Sequence, residues 1–382
     1  MTSTPFIEPD LDFIAQIKSG AGPDLKKCYQ CATCSVACTI SHDDHPFPRK
    51  EMIHASWGLK DRLIANPDIW LCYNCGDCST LCPRDARPGD VLGTLRKMSI
   101  REYSKPAVMN GLLNDPRKLP WLFVIPAVII LATGLLTGLM NLSPGGEQIV
   151  FARFFPVSLI EMIFIPLSVA VALVFFLGIK RFLVDMQDTY ARLGKIDPGP
   201  IDVKAFLATL VRQLPAIVRH EQFSTCSENK GRKLSHMMVA FSFSSLAFVA
   251  GAFVFALYVL NSHGPYDQVN PVKILANISG LALITGSLML IRERRANARQ
   301  AGGKQGSGYF DWYLLGLALS LGITGMLTQF LRLADIPWAA YSMYFIHLLF
   351  AFNLVAFLPY TKLAHLVYRT VAVAYYHYAR EN

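Results

Sequence analysis

Apolar and polar positions divide this chain into two unlike halves. Residues 1–118 are dense in Asp, Glu, Lys and Arg, whereas the chain beyond Pro120 alternates long apolar runs with short basic segments. A membrane-spanning helix needs roughly 20 mostly apolar residues. Six runs meet this requirement, near residues 121–140, 157–179, 237–260, 274–291, 312–331 and 338–358. The pattern predicts six membrane spans, because six such helices in a soluble core would leave too little polar surface.

The loops between the predicted spans differ strongly in charge. Residues 180–233 carry ten Lys or Arg and residues 292–308 carry five, whereas the other three loops carry one each. Those single residues are Arg153, Lys273 and Arg332. Because Lys and Arg mark the cytoplasmic side, we expect a multi-pass inner-membrane protein with both termini and residues 1–118 in the cytoplasm. The amino terminus also lacks the basic start and apolar run of a signal peptide.

Composition narrows the class of protein. The 382 residues are 53% hydrophobic and 16% charged, against about 25% charged in an average globular domain. These values exclude a disordered chain and a small disulfide scaffold. Basic cytoplasmic loops account for the net charge of +9, so we expect no nucleic-acid partner.

One segment of the basic loop has helical periodicity but is too polar to cross a membrane. Residues 201–223 place apolar side chains near helical spacing. We expect either an amphipathic helix on the inner membrane surface or a docking surface for a partner, and the sequence leaves both open. The apolar positions are Val203, Phe206, Leu207, Leu210, Val211 and Leu214.

Eight of the nine cysteines lie between residues 28 and 82, and only Cys226 lies elsewhere. They form two runs, Cys28-x-x-Cys31-x-x-Cys34-x-x-x-Cys38 and Cys72-x-x-Cys75-x-x-Cys78-x-x-x-Cys82-Pro83. This is the spacing of two-cluster ferredoxins, in which the fourth cysteine of each run ligates the other cluster. The spacing therefore predicts one [4Fe-4S] cluster on Cys28, Cys31, Cys34 and Cys82, and a second on Cys72, Cys75, Cys78 and Cys38. Zinc ribbons use pairs of cysteines and fit these runs of four poorly.

Two segments around the cysteines, LKKCYQCATCSVAC and WLCYNCGDCSTLCPRDARPGDVLGTLRKMSI, resemble the C subunit of heterodisulfide reductases. The resemblance covers roughly residues 8–105. It implies a small helical ferredoxin-type domain with two [4Fe-4S] clusters.

Three histidines lie in or beside the apolar runs. His347 lies within the sixth predicted span, His365 follows it by eighteen residues, and His236 opens the third span. Eighteen helical residues make about five turns, which places His347 and His365 on one face, roughly 27 Å apart. Ionisable residues within a span are functional by default, and a haem iron takes an axial imidazole from each of two helices. The pattern predicts haem b between the third and sixth spans.

The sixth-span segment FIHLLFAFNLVAFLPYTKLAHLVYRT resembles a helix of the respiratory nitrate reductase gamma subunit family, through its histidine spacing and its LPYTKLAH ending. That family holds two b haems between this helix and one other. The resemblance implies that His236 and His365 ligate an inner haem and that His347 ligates an outer one. Leu246 occupies the position at which the family has the second ligand of the outer haem. His263 is then the remaining candidate for this ligand, and the chain could hold either one haem or two. A histidine packed against a neighbouring span is the alternative for His347.

Three polar side chains lie near the outer ends of the predicted spans. Glu161 is the one acid within a span, and Arg332 and Tyr341 lie at a similar level. A quinol site needs a hydrogen-bond donor and a proton acceptor, so these residues are quinone-site candidates beside the outer haem. The alternatives are an ion pair of Glu161 with Arg153 or Arg332, an aromatic-belt position for Tyr341, and a quinone site at the inner side.

The order of these features predicts an all-α chain of two domains. Residues 1–118 form a cytoplasmic two-cluster ferredoxin-like domain, and residues 119–382 form a six-helix transmembrane cytochrome b bundle with a basic loop at 180–233. The sequence has no G-x-G-x-x-G fingerprint that opens a helix after a strand. We therefore expect no flavin or soluble-substrate site in this chain, and whether it counts as an enzyme stays open.

The fusion of these two parts resembles the C subunit of the quinone-interacting membrane-bound oxidoreductase complexes of sulfate-reducing microbes. That resemblance implies electron transfer between menaquinone or menaquinol, haem b and two [4Fe-4S] clusters. It also implies two soluble flavin and iron–sulfur partner subunits and delivery of electrons towards adenylylsulfate reductase. Two other functions stay open: a membrane anchor of a heterodisulfide-reductase-like or other dehydrogenase complex, and a redox sensor or structural anchor without turnover.

Overall fold

The structure is all-α, as the sequence pattern predicts. It is a computed structural model that describes residues 8–21, 23–43, 45–142, 145, 148–195, 199–219, 232–300 and 309–381. These residues contain sixteen α-helices and no strand, and their one isolated β-bridge joins His42 to His45. Cys226 lies outside the described residues.

Seven helices build the cysteine half of the chain. They are α1 (Leu11–Ala21), α2 (Thr33–Val36), α3 (Arg49–Ser56), α4 (Asp68–Leu71), α5 (Asp77–Thr80), α6 (Pro88–Tyr103) and α7 (Ala107–Asn114). The single turns α2 and α5 lie inside the two cysteine runs, and each follows a left-handed residue, Ala32 (φ 67°) or Gly76 (φ 97°). A left-handed residue turns the backbone sharply, so cysteines on both sides of it can face one cavity.

The prediction of six membrane spans is confirmed by six helical segments that are long and apolar enough to cross a membrane. Beyond α7 the helices are α8 (Leu119–Leu136), α9 (Phe151–Phe154), α10 (Val157–Arg192), α11 (Val203–Arg219), α12 (Arg232–Tyr258), α13 (Pro271–Gln300), α14 (Tyr309–Leu333), α15 (Pro337–Phe357) and α16 (Ala364–Glu381). The helix α10 has 36 residues, well beyond the roughly 20 that a span needs, and its second half is charged. This half extends past the apolar run as a support for the cysteine half.

The sixth predicted span does not continue as one helix to His365. A 3-10 turn, Leu358–Tyr360, separates α15 from α16. Pro359 has no N–H to donate to the helix, and Thr361 is extended (φ −97°, ψ 177°). The expectation that His347 and His365 share one face of a straight helix is therefore wrong.

An aromatic seam joins the cysteine half to the membrane helices. Trp70 of α4, Phe182 of α10 and Tyr368 of α16 are fully buried, with ring centroids 5.5 to 6.2 Å apart. Tyr103, the last residue of α6, completes this seam at 4.9 Å from the Phe182 ring. Gly178 permits the close approach, because a Cβ there would lie 2.5 Å from the Tyr368 hydroxyl oxygen. The cysteine half, the second half of α10 and α16 therefore lie at one end of the membrane bundle.

A buried carboxylate fastens the same interface. Asp68 accepts hydrogen bonds from the Tyr190 hydroxyl at 2.9 Å, from Lys195 Nζ at 2.8 Å and from Lys50 Nζ at 3.0 Å. Burial alone would raise the pKa of Asp68, but the charges of the two lysines prevail and lower it to about 2. The carboxylate therefore contributes stability above its ordinary pKa of 3.8, and this contribution is lost as the pH falls towards 2.

The amphipathic segment forms the helix α11, as expected, and packs against α16. The ring of Phe206 is buried 6.1 Å from the ring of Tyr378, and the Asp202 N–H donates to the Tyr378 hydroxyl at 2.9 Å. The other face leaves a stripe of exposed apolar side chains, which are Val203, Leu207, Val211, Leu214 and Val218. Either the inner membrane surface or a partner subunit could bury this exposed stripe, as the sequence predicts.

Replacing Asp68 with Asn is expected to loosen the cysteine half from the membrane helices. The change leaves the ammonium group of Lys195 buried without its carboxylate and leaves Lys50 with Glu51 alone, at 3.5 Å. Breaking a buried pair in this way costs about 3–5 kcal/mol. Thermal unfolding of the detergent-purified protein, together with limited proteolysis, measures the loss.

Asp188→Asn is the matched control for this prediction. Asp188 pairs with Arg192 on an exposed side of α10, the helix that supplies Tyr190 to Asp68, and exposed pairs contribute little to stability. We expect this variant to unfold at the temperature of the unaltered protein. Equal unfolding temperatures of the Asp68 and Asp188 variants would show that the buried carboxylate does not hold the interface.

Candidate iron–sulfur and haem sites

Two cavities in the cysteine half are each lined by four cysteines. Site A is lined by Cys28, Cys31, Cys34 and Cys82. Site B is lined by Cys38, Cys72, Cys75 and Cys78. Each site gathers three cysteines of one run and the last cysteine of the other, which is the crossed arrangement of two-cluster ferredoxins.

N–H groups point at cysteine sulfurs in both sites. The backbone N–H of Asn74 donates to the Cys72 sulfur at 3.3 Å, and the side-chain amide of Gln30 donates to the Cys28 sulfur at 3.3 Å. Both donors are left-handed residues, with φ of 55° and 59°. Hydrogen bonds to cluster sulfurs tune the reduction potential, so these turns fit a cluster-binding role.

The innermost thiols have environments that suit metal ligation. Burial, together with the neighbouring thiols, raises the pKa of Cys34 to about 11 and raises the pKa of Cys78 above its ordinary value. Iron binds the thiolate form, so loading either site must release these protons. Among the described residues no three Cys, His, Asp or Glu side chains converge as they would on a single metal ion.

The two sites have different surroundings. Cys31 of site A is exposed, and 68% of the neighbouring Tyr29 side chain is exposed. At site B the guanidinium carbon of Arg369, on α16, lies 5.2 Å from the centroid of the Tyr73 ring. Site A therefore faces solvent, and site B faces a helix of the membrane half.

His236 and His365 lie near each other at the end of the bundle that carries the cysteine half. The two rings are close enough to interact electrostatically. The described parts of α12 and α16 share no extended interface, because α12 packs along α13 and α16 packs on α4, α10 and α11. The Nδ1 of His365 lies 2.5 Å from the Lys362 carbonyl oxygen, so Nδ1 carries the proton and Nε2 keeps its lone pair. An imidazole oriented by such a bond fits an axial haem ligand.

The other two histidine candidates have separate contacts. The Nδ1 of His347 lies 2.9 Å from the Thr324 hydroxyl, and a Cβ on Gly325 would lie 3.2 Å from the His347 ring. His263 lies in the exposed loop after α12, where its Nδ1 lies 3.0 Å from the Asn261 carbonyl oxygen. The described contacts of His347 are thus with α14, and those of His263 stay within its own loop.

Glu161 is paired with a tyrosine at the end of α12. The Tyr258 hydroxyl donates to the Glu161 carboxylate at 2.5 Å, and 60% of Tyr258 is exposed. Tyr341 is instead buried among aromatic rings of α9, and Arg332 lies near Lys273. Among the described residues no ion pair joins Glu161 to Arg332, so the structure does not bring the three quinone-site candidates together.

Residues 24–86 match the sequence model of a family described as a 4Fe-4S dicluster domain. This range contains all eight cysteines of sites A and B. No curated protein and no solved structure matches the chain significantly. The iron–sulfur domain and the six spans together define a multi-pass membrane protein that transfers electrons.

Arg369, Tyr258 and Thr324 escaped the sequence analysis. Each lies far along the chain from the group that it contacts, and each is a residue type common at membrane-helix ends or interiors. The sequence offered a signal for Arg369 alone. Arg369 follows the predicted haem ligand His365 by four residues and therefore shares its helix face.

Replacing Cys38 with Ser is expected to damage the cluster of site B and to leave the cluster of site A intact. Cys38 belongs by sequence to the first run but lines site B. Electron paramagnetic resonance of the reduced protein, combined with iron content per polypeptide, measures the loss.

Cys82→Ser is the reciprocal control, because Cys82 belongs by sequence to the second run but lines site A. The two variants should lose different signals. Loss of the same signal in both, or loss of the site A signal in the Cys38 variant, would contradict the crossed assignment.

Proposed function

We propose that this chain is the membrane electron-transfer subunit of a quinone-linked oxidoreductase complex. It passes electrons between menaquinone or menaquinol, haem b and two [4Fe-4S] clusters, and exchanges them with soluble flavin-containing partner subunits. The observation that carries this proposal is the position of α16. This helix presents the haem-ligand candidate His365 and, one turn later, Arg369 over the Tyr73 ring of site B.

The donor set between α12 and α16 supports haem b. His236 and His365 would hold an inner haem, which supplies one-electron chemistry within the membrane when it is bound. The Lys362 carbonyl fixes the proton of His365 on Nδ1, and the Thr324 hydroxyl orients the ring of His347 in the same manner. His347 would then serve an outer haem, for which His263 stays the candidate second ligand.

Site A supports docking of a soluble electron-transfer partner. Apolar side chains near its cysteines are exposed to solvent, with exposed fractions of 68% for Tyr29, 88% for Val36 and 57% for Leu81. Clustered exposed apolar side chains mark protein interaction sites. The proposed partners are two flavin and iron–sulfur subunits that connect this chain to adenylylsulfate reductase. The alternative is a heterodisulfide-reductase-like or other dehydrogenase complex.

The Glu161–Tyr258 pair supports a quinol site near the outer ends of α10 and α12. A quinol that gives up two electrons also gives up two protons, so its site needs a proton acceptor and a hydrogen-bond donor. Glu161 would accept a proton from the quinol. The exposed Tyr258 hydroxyl, whose proton the ionised carboxylate holds, would then be free to donate to a quinone oxygen. A carboxyl group within a span is costly and marks function. Arg332 and Tyr341 stay candidates at the same level.

His236→Ala and His365→Ala are each expected to abolish the same low-spin haem. Each change removes one axial imidazole of a single iron, so the two losses should have identical spectra. Visible and paramagnetic resonance spectra of the purified protein, with haem content per polypeptide, measure the effect.

His377→Ala is the matched control, because His377 lies on α16 but contacts Tyr376 near the end of the chain. This variant should keep the full haem content. Loss of spectroscopically different haems in the His236 and His365 variants would refute the pairing. A single haem in the unaltered protein would assign His347 to a packing role.

Glu161→Gln and Tyr258→Phe are expected to slow reduction of the membrane cofactors by a quinol analogue by about 100-fold, because each removes a proton-transfer or hydrogen-bonding group. Stopped-flow kinetics on membranes with verified haem content measure the rate.

Arg332→Ala tests Arg332, the other charged candidate for the outer quinone site. Tyr266→Phe is the control for the loss of a tyrosine hydroxyl, because the Tyr266 hydroxyl donates only within its own loop, to the Ser262 carbonyl oxygen. Unchanged quinol rates in the Glu161, Tyr258 and Arg332 variants would rule out the outer site. Lower rates with intact haem spectra would support it.

A further inference from the structure

Sites A and B repeat one local motif in which a tyrosine follows the first cysteine and carries an arginine over its ring. At site A the guanidinium carbon of Arg84 lies 4.2 Å from the Tyr29 centroid, and at site B that of Arg369 lies 5.2 Å from the Tyr73 centroid. Arg84 belongs to the cysteine half itself. Arg369 comes from the last helix of the chain, so the membrane half supplies a side chain to site B.

The charge of Arg369 acts on the ligand set of site B. Its guanidinium is close enough to Cys72 and to Arg96 to interact electrostatically with both. Arg96 bonds the Ile69 carbonyl oxygen at 3.0 Å, which keeps a second cation near the site, while the Asp77 carboxylate lines the cavity and opposes them. A cation near a cluster favours the form that carries one more electron, because the added negative charge is attracted to it.

The place of Arg369 along α16 relates site B to the histidine pair. It follows His365 by four residues, about 6 Å of helix, so both side chains lie on one face. The His365 ring interacts electrostatically with Arg369 and with His236. One arginine therefore interacts both with the candidate haem ligand His365 and with Cys72 of site B.

We infer that Arg369 is a positioning residue that holds Tyr73 and Cys72 of site B against the membrane half and raises the reduction potential of the cluster in that site. Site B is then the membrane-side cluster of the proposed electron-transfer function, on which this inference rests, and site A is the solvent-side cluster. The structure assigns the two sites different places in the electron path although their cysteine motifs are nearly identical.

The test is Arg369→Gln in the full-length protein with both clusters loaded. The variant removes the charge but keeps a side chain of similar length that can hydrogen bond. A mediator-based redox titration followed by paramagnetic resonance should show a lower potential for the site B cluster alone. The expected change in its reduction equilibrium is about tenfold, equal to roughly 59 mV for one electron.

Two further variants provide the comparison. Arg380→Gln removes a matched contact on the same helix, where the Arg380 guanidinium carbon lies 5.3 Å from the Tyr376 centroid, and both cluster potentials should be unchanged. Arg84→Gln should shift the site A cluster instead. Arg369→Lys keeps the charge and should keep the reduction potential of the site B cluster close to that of the unaltered protein. If Arg369→Gln loses its cluster, the potential measured in Arg369→Lys tests the inference instead.

Unchanged potentials of both clusters in Arg369→Gln would overturn the inference, as would an equal shift in Arg380→Gln. A shift of the site A cluster in Arg369→Gln, or a site B potential in Arg369→Lys as low as that of the charge-free variant, would also overturn it. Mediators titrate the clusters without quinol or haem. A failure of the proposed quinone function would therefore appear separately, as lost quinol reduction with unaltered cluster potentials.

Discussion

The fit of the cysteine half against α10 and α16 is the contact on which the other features depend. Trp70, Phe182 and Tyr368 fill it, and each fully buried large side chain contributes about 1.5–3 kcal/mol. Gly178 lets the chains approach, since a side chain there would meet the Tyr368 hydroxyl. Asp68 adds a charged fastening at its edge. Without this packing, Arg369 would not reach Tyr73, and the cysteine sites would have no fixed relation to the histidines.

This packing makes two chemically similar sites unequal. Both are built from a tight cysteine turn with a left-handed residue and N–H groups aimed at sulfur. One lies beside the solvent-exposed ring of Tyr29, whereas the other has Tyr73 in contact with Arg369 of a membrane-half helix. Two clusters that carry electrons between a membrane and a soluble partner need different surroundings, because one must exchange electrons with the membrane cofactors and the other with the partner.

Local signals predicted a large part of the fold. The six spans follow from apolar length, since a helix must bury its polar backbone to cross lipid. The helix α11 follows from its periodicity. The break after α15 was missed because the LPYT segment is apolar enough to extend a span, whereas Pro359 interrupts the hydrogen-bond ladder. The partner of Glu161 was also missed, because Tyr258 lies on another helix and only packing brings the two together.

The sequence by itself determined the cofactor-binding residue types and their number. Eight cysteines at fixed short spacings match a 4Fe-4S dicluster domain. The spacing within each run indicates the metal chemistry independently of how the rest of the chain packs. Tertiary structure alone decided which cysteine site faces the membrane half, that His236 comes near His365, and that Arg369 interacts with both His365 and Cys72. The physical reason is range: spacing constrains atoms a few residues apart, whereas the packing of Trp70, Phe182 and Tyr368 sets distances between segments that are far apart in the chain.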